Sequence, residues 1–127
     1  MKIVRIAAGP AFALYAIVIR DSCMIQNFID DLIPKEQKRT IQLFYRIVNH
    51  GLPTNTQKFR KVDRYIYELK TPGGVRILCF QGGSLLNDSL ILTHGFFKPK
   101  SRVFNREILK AMNWRKEFLK GNIEFIE

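Results

Sequence analysis

Residues 58–102 read KFRKVDRYIYELKTPGGVRILCFQGGSLLNDSLILTHGFFKPKSR, and this stretch decides the fold because strand-like runs alternate in it with tight turns. Residues 65–70 and 75–81 are rich in apolar, β-branched and aromatic side chains, as strands are. They are separated by TPGG, in which proline restricts one φ angle and the glycines accept positive φ. We therefore predict a hairpin, followed by a third strand over residues 89–97 that completes an antiparallel meander.

Upstream of this stretch, residues 12–20 predict a first strand, and residues 1–8 read as a short apolar arm before it. Asp21 or Ser22 is suited to cap a helix that ends near Leu32. A second helix is expected from Pro34 to residue 50, where Gly51 is suited to end it.

Downstream, Asn105 is suited to cap a last helix that ends near Lys120, with apolar residues at helical spacing between them. The chain has 127 residues, enough for one packed core and too few for two ordinary domains. We expect a single α+β domain over residues 1–127, made of two N-terminal helices, an antiparallel β-sheet meander and a C-terminal helix.

The chain is strongly basic, with a net charge of +10 at pH 7 and a pI near 10.0. Such a charge favours a phosphate-rich partner, although a basic charge can also contribute only to solubility. The excess is concentrated in residues 58–102, which contain three acidic residues and nine basic ones: Lys58, Arg60, Lys61, Arg64, Lys70, Arg76, Lys98, Lys100 and Arg102. This concentration favours nucleic acid as the partner.

Cys23 and Cys79 lie in separate apolar runs and read as free thiols of a reducing compartment. The two histidines have no cysteine or carboxylate at a metal-ligand interval, and no nucleotide-binding or dinucleotide motif occurs, so we expect no metal and no cofactor. An apolar run over residues 7–19 resembles part of a secretory signal, but Gly9-Pro10 interrupts it and it is too short to span a bilayer. A cytoplasmic protein without a membrane partner is expected.

Three residues of this stretch are candidates for chemistry, and Arg76 and His94 are the first two. Arg76 follows the TPGG turn, and a guanidinium held by a rigid strand can bind a phosphate and stabilise a phosphorane. The alternative to this functional role is that Arg76 only pairs with Glu68 across the hairpin. His94 stands near the end of the third strand, where an imidazole exchanges protons near neutral pH, although a lone strand histidine is more often only packed.

The remaining candidates are basic and aromatic residues at strand ends and in loops. Lys98 and Lys100 flank a proline that stiffens their turn, and Lys98 is included with Arg76 and His94 in the candidate catalytic set. A mixture of cations and rings is typical of surfaces that bind unstacked RNA. The predicted RNA- and phosphate-binding residues are Lys58, Arg60, Lys61, Tyr65, Lys100 and Arg102.

Three motifs in order carry a resemblance to a known family: YELK at residues 67–70, VRILCF at residues 75–80 and ILTHGFFKPK at residues 91–100. The helix ending FYRIVNHGLP at residues 44–53 precedes them. Together they resemble the phage-derived Gp49-like and HigB-like toxins of the RelE/ParE superfamily. Pro99 stands between two lysines that the family usually places side by side.

The resemblance implies a toxin of a type II toxin-antitoxin system that cleaves mRNA on the translating ribosome. It implies that Arg76 holds the phosphate, that Lys98 and Lys100 match the lysines of the last motif, and that Lys58, Arg60 and Lys61 match a basic approach to the sheet. The implied partners are the ribosome, mRNA and a cognate antitoxin, typically a helix-turn-helix protein. Two alternatives stay open: a non-catalytic ParE-like toxin acting on DNA gyrase, and a basic accessory protein that binds nucleic acid.

Overall fold

The structure is a computed structural model that describes residues 1–98 and 101–126, without the side chains of residues 101–103. In these residues the chain forms eight strands and three α-helices. The strands are β1 (Lys2–Ala8), β2 (Ala13–Ile19), β3 (Ser22–Cys23), β4 (Phe59–Lys61), β5 (Tyr67–Lys70), β6 (Val75–Gln81), β7 (Ser89–Phe97) and β8 (Glu124–Ile126). The helices are α1 (Met24–Asp30), α2 (Pro34–His50) and α3 (Ser101–Leu119).

All eight strands belong to one mixed sheet with the order β4-β5-β6-β7-β2-β1-β8, in which β3 also pairs with β2. The β2–β7 and β1–β8 pairs are parallel, and the other pairs are antiparallel. The predicted α+β fold with an antiparallel meander is therefore wrong, because the meander β5-β6-β7 is only the middle of a larger mixed sheet. The residues read as an N-terminal arm form β1, which pairs with β2 from Lys2 to Ala8 with one irregularity between Arg5 and Ala7.

Helices cover both faces of the sheet. On one face α1 and α2 pack on Ile77 and Cys79 of β6, and on the other face α3 packs on Leu78 and Phe80. Successive side chains of a strand point to opposite faces, so a strand buried on both faces is apolar at nearly every position. Within β6 the exceptions are Gln81, which is exposed at the end of the strand, and Arg76, which is 8% exposed and lies on the α3 face.

The predicted β5–β6 hairpin and the β7 strand are confirmed. The amide of Thr71 donates to the carbonyl of Val75 across the turn, at 3.1 Å. Gly74 has φ +97°, a conformation that favours glycine, as the turn motif predicts. The hairpin therefore forms from its local sequence.

Two predicted helix starts are wrong. Arg20 and Asp21 both have positive φ and form the two-residue turn between β2 and β3, so α1 begins only at Met24, after Cys23. Helix α3 begins at Ser101, which places Asn105 inside the helix instead of at its cap. The prediction for α2 is confirmed, because Pro34 is its first residue and Gly51, at φ +91°, follows its last.

Helix α1 lies close to β7 because a glycine occupies the contact. A β-carbon at Gly95 would overlap the ring of Phe28. Phe28 also contacts Phe97, with ring centroids 5.7 Å apart. The glycine of the GFFKPK segment is thus required by the approach of α1 and is not a turn residue.

Candidate nucleic-acid interface

Four charged side chains converge on the α3 face, near the edge of the sheet formed by β4. Strand register places Arg60 opposite Glu68 and Lys70 opposite Arg76. Because side chains at directly paired positions lie on the same face, these four residues form one cluster. The cluster lies close to the beginning of α3, since the guanidinium of Arg60 is 6.0 Å from the ring centroid of Phe104.

Glu68 is the single carboxylate of this cluster among the described residues. Its side chain is 1% exposed and accepts a hydrogen bond from Nη2 of Arg60 at 3.0 Å, while Nε of Arg76 lies 3.9 Å from the same oxygen. One negative charge therefore faces Arg60, Lys70 and Arg76, and the cluster keeps a positive excess that would attract an anion.

Arg76 is held by the backbone of the β5–β6 turn. Its Nη1 donates to the carbonyls of Thr71, at 3.1 Å, and of Val75, at 2.9 Å. Nη2 makes no hydrogen bond to any described residue, so its two N–H groups remain to receive a ligand. These two hydrogen bonds fix the guanidinium beside the turn, and they use part of its donor capacity to stabilise the turn.

Lys70 and Lys98 extend the cluster on either side of Arg76. Burial lowers the pKa of Lys70, and the positive charges of Arg60, Arg76 and Lys98 lower it further, against the opposing effect of Glu68. The backbone amide of Lys98 donates to the carbonyl of Gly74 at 2.7 Å, which anchors this exposed lysine beside the turn. A lysine with a lowered pKa exchanges a proton nearer to neutral pH than an ordinary one.

His94 lies on the same face but is bonded on both sides. Its Nδ1 is 2.9 Å from Oγ1 of Thr93, and its Nε2 is 2.5 Å from Oε2 of Glu107 on α3. Burial lowers the pKa of His94, while Glu107 opposes that change. The ring connects β7 to α3, and both of its nitrogens are occupied.

The other predicted binding residues are divided among several places. Lys61 lies next to Arg60 and so on the opposite face of β4, and Lys58 precedes β4 in a groove beside α2. The ring centroid of Tyr65 is 3.8 Å from the guanidinium of Arg115. Arg115 is eleven residues along α3 from Phe104, a distance of about 16 Å at the helical rise, so Tyr65 lies away from the cluster. Lys100 lies outside the described residues, and for Arg102 only its place in α3 is described.

The structure therefore brings together Arg60, Arg76 and Lys98 of the predicted residues, and it adds Lys70 and Glu68. The pairing register across the TPGG turn was sufficient to find Lys70, because it lies directly opposite Arg76. The arrangement is suited to holding a phosphate against a rigid guanidinium beside a lysine that exchanges protons.

Among the described helices, none combines the length and the apolar composition needed to cross a bilayer. A scan against protein-family models gives no match, and a search of curated proteins gives none either.

Proposed function

We propose that this protein binds RNA through the Arg60, Lys70, Arg76 and Lys98 cluster and cleaves it, acting as a toxin that an antitoxin neutralises. The observation that carries the proposal is the convergence of these four cations around one buried carboxylate. The motif resemblance to HigB-like toxins supplies the class of substrate, mRNA on the ribosome. The larger sheet is not the fold expected for that family, so the proposal depends on the cluster.

The proposed reaction is a transesterification within RNA. The 2′-oxygen of a ribose attacks the adjacent phosphorus and loses its proton, and the bond from phosphorus to the 5′-oxygen breaks as that oxygen gains a proton. The products are a 2′,3′-cyclic phosphate and a free 5′-hydroxyl. Nη2 of Arg76 and the ammonium of Lys98 hold the phosphate oxygens, Lys70 in its neutral form accepts the 2′-proton, and water supplies the proton that the 5′-oxygen gains.

The test compares Lys70→Gln and Lys98→Gln with the double variant Lys35→Gln/Lys38→Gln, whose lysines are exposed on α2 outside the cluster. We expect K70Q to lower RNA cleavage by about 100-fold, the usual contribution of a positioned acid or base, and to relieve growth arrest on expression. K98Q should lower cleavage less, because Lys98 is exposed. Transcript cleavage is mapped by primer extension, and folding is checked by circular dichroism.

Arg76→Ala is a less suitable variant because it also removes two hydrogen bonds from the turn, so Arg76→Lys is the better choice. Undiminished arrest and cleavage in both K70Q and R76K would reject the proposed site. Growth arrest with DNA damage and intact transcripts would instead indicate the gyrase-directed alternative.

A second candidate function is nucleic-acid binding without cleavage. It is favoured by His94, whose two ring nitrogens are both engaged by Thr93 and Glu107. Expression without growth arrest, together with RNA binding that weakens in K70Q, would support this candidate over the nuclease. A small helix-turn-helix protein encoded beside this gene would support the toxin.

A further inference from the structure

A second basic depression lies on the other face of the sheet, between α2 and the loop that precedes β4. It encloses about 390 Å³, and four of its lining residues are cations: Arg39, Arg46, Lys58 and Lys70. The other lining residues that the structure describes are uncharged, so no described carboxylate lines it. We call this depression the α2 groove.

Helix geometry and backbone bonds build the α2 groove. Arg39 and Arg46 are seven residues apart on α2 and so lie on the same side of the helix, two turns from each other. Arg39 is oriented by Glu36, which accepts a hydrogen bond from its Nη1 at 2.8 Å. On the opposite wall, the amide of Lys70 donates to the carbonyl of Lys58 at 2.9 Å and fixes the loop.

Two of the four cations are available to a ligand. Arg46 is exposed and Lys58 is half-buried, and neither side chain makes a hydrogen bond or ion pair with the described part of the chain. Cations scattered on a convex surface are usually just solvated, whereas these two line one concave site, whose nearest described carboxylate, Glu36, is already bonded to Arg39 and Thr71. An anion in the α2 groove would therefore meet several positive charges at once.

Lys70 connects this groove to the cluster on the α3 face. As the last residue of β5 it borders the α2 groove, while register directs its side chain to the α3 face, where it is close enough to Arg60, Arg76 and Lys98 for their charges to lower its pKa. The two sites thus meet at the end of β5, beside the edge strand β4. A duplex is too stiff to turn around such an edge, because its persistence length is about 150 base pairs, whereas a single strand bends freely.

We propose that the α2 groove binds the phosphate backbone of a single-stranded RNA whose chain passes over Lys70 into the Arg76 cluster. The identity of the ligand depends on the proposed RNA-binding function, but the groove itself is an independent observation. Arg46 and Lys58 would each contact a phosphate, in addition to the contacts made at the cluster.

The test is binding of a fluorescein-labelled single strand of about 12 nucleotides, within the usual range of single-strand sites, measured by anisotropy over a range of salt concentrations. A 2′-O-methyl RNA is used because it lacks the attacking hydroxyl and cannot be cleaved. The variant is Arg46→Gln/Lys58→Gln, and the control is K35Q/K38Q, which removes the same charge from the same region outside the groove.

Loss of two phosphate contacts should reduce the slope of log affinity against log salt by about 1.4, since each contact on a single strand contributes about 0.7. At about 1 M salt counterion release no longer contributes, and the variant and the wild type should bind with similar affinity. At about 0.1 M salt, one decade lower, the variant should bind about 25-fold more weakly than the wild type. The control double variant should keep the wild-type slope apart from a small general charge effect.

Each outcome separates the two proposals. A wild-type protein that does not bind RNA would overturn both, whereas RNA binding with an unchanged slope in R46Q/K58Q would overturn the groove alone. Equal losses for a duplex of the same length would contradict the single-stranded path. A variant that binds RNA normally but loses affinity for polyglutamate would show that the groove takes an acidic protein segment instead.

Discussion

Replacing Glu68 by glutamine is the most direct test of how the cluster is held together. The substitution keeps the side-chain shape and one acceptor oxygen but removes the negative charge that faces Arg60, Lys70 and Arg76. We expect E68Q to fold but to be substantially less stable than the wild type.

The magnitude follows from the exposure of the partners. Removing one member of a buried ion pair typically costs 3–5 kcal/mol of unfolding free energy, because a charge is left uncompensated. The Arg60 side chain is 47% exposed and can turn to water, whereas that of Arg76 is 10% exposed and cannot. We therefore expect the lower end, about 3 kcal/mol.

That loss converts into a shift of melting temperature. An unfolding entropy of about 2.1 cal/mol/K per residue amounts to about 270 cal/mol/K for 127 residues. A loss of about 3 kcal/mol at the midpoint thus lowers Tm by about 11 °C.

The assay is thermal unfolding followed by circular dichroism, with Glu117→Gln as the matched control. Glu117 pairs with Lys120 at 2.8 Å on the surface of α3, where both side chains are more than half exposed, so E117Q should change Tm little. Inorganic phosphate should raise the Tm of E68Q more than that of the wild type, because an anion would replace the lost charge. A Tm for E68Q as close to wild type as that of E117Q would refute this account of the cluster.

Two further predictions concern the packing around β7. Gly95→Ala should lower the unfolding free energy because the added β-carbon meets the ring of Phe28. Urea unfolding should show a smaller loss when the same substitution is made in a Phe28→Ala background, and equal losses in both backgrounds would contradict the packing argument. The pKa of His94 is lowered mainly by burial, opposed by Glu107, with Lys110 lowering it further, so the unfolded chain takes up this proton at a higher pH than the folded one. The stability that neutral His94 contributes is then present above pH about 6.5 and is lost as the pH falls below that value. The unfolding free energy of His94→Gln, measured in urea, should therefore depend less steeply on pH between about 7 and 5 than that of the wild type. An unchanged pH dependence would contradict this account.

The elements predicted correctly are those whose signals are local. The TPGG turn determines the β5–β6 hairpin, and Pro34 with Gly51 delimits α2, because each of these residues restricts or permits its own backbone angles. The place of Arg76 at the beginning of β6 followed from the same turn. Its hydrogen bonds to Thr71 and Val75 are contacts within five residues along the chain.

The missed elements depend on partners distant in sequence. β8 is three residues long and becomes a strand only through its pairing with β1, more than a hundred residues earlier. The parallel β2–β7 pair likewise joins segments separated by two α-helices and four strands, and no turn motif specifies it. Glu107 was not predicted as a partner of His94, because α3 is placed over β7 by the packing of the sheet as a whole.

The amino-acid sequence alone contained the basic charge of residues 58–102, the central hairpin, and the places of Arg76 at the beginning of β6 and of Lys98 directly after β7. Only the tertiary structure decided that Lys70 joins two basic sites on opposite faces, that Arg39 and Arg46 contribute to one of them, and that Lys61 and Tyr65 lie away from the cluster. The physical reason is that charge and turn geometry belong to individual residues, whereas convergence depends on strand register and helix packing between distant segments.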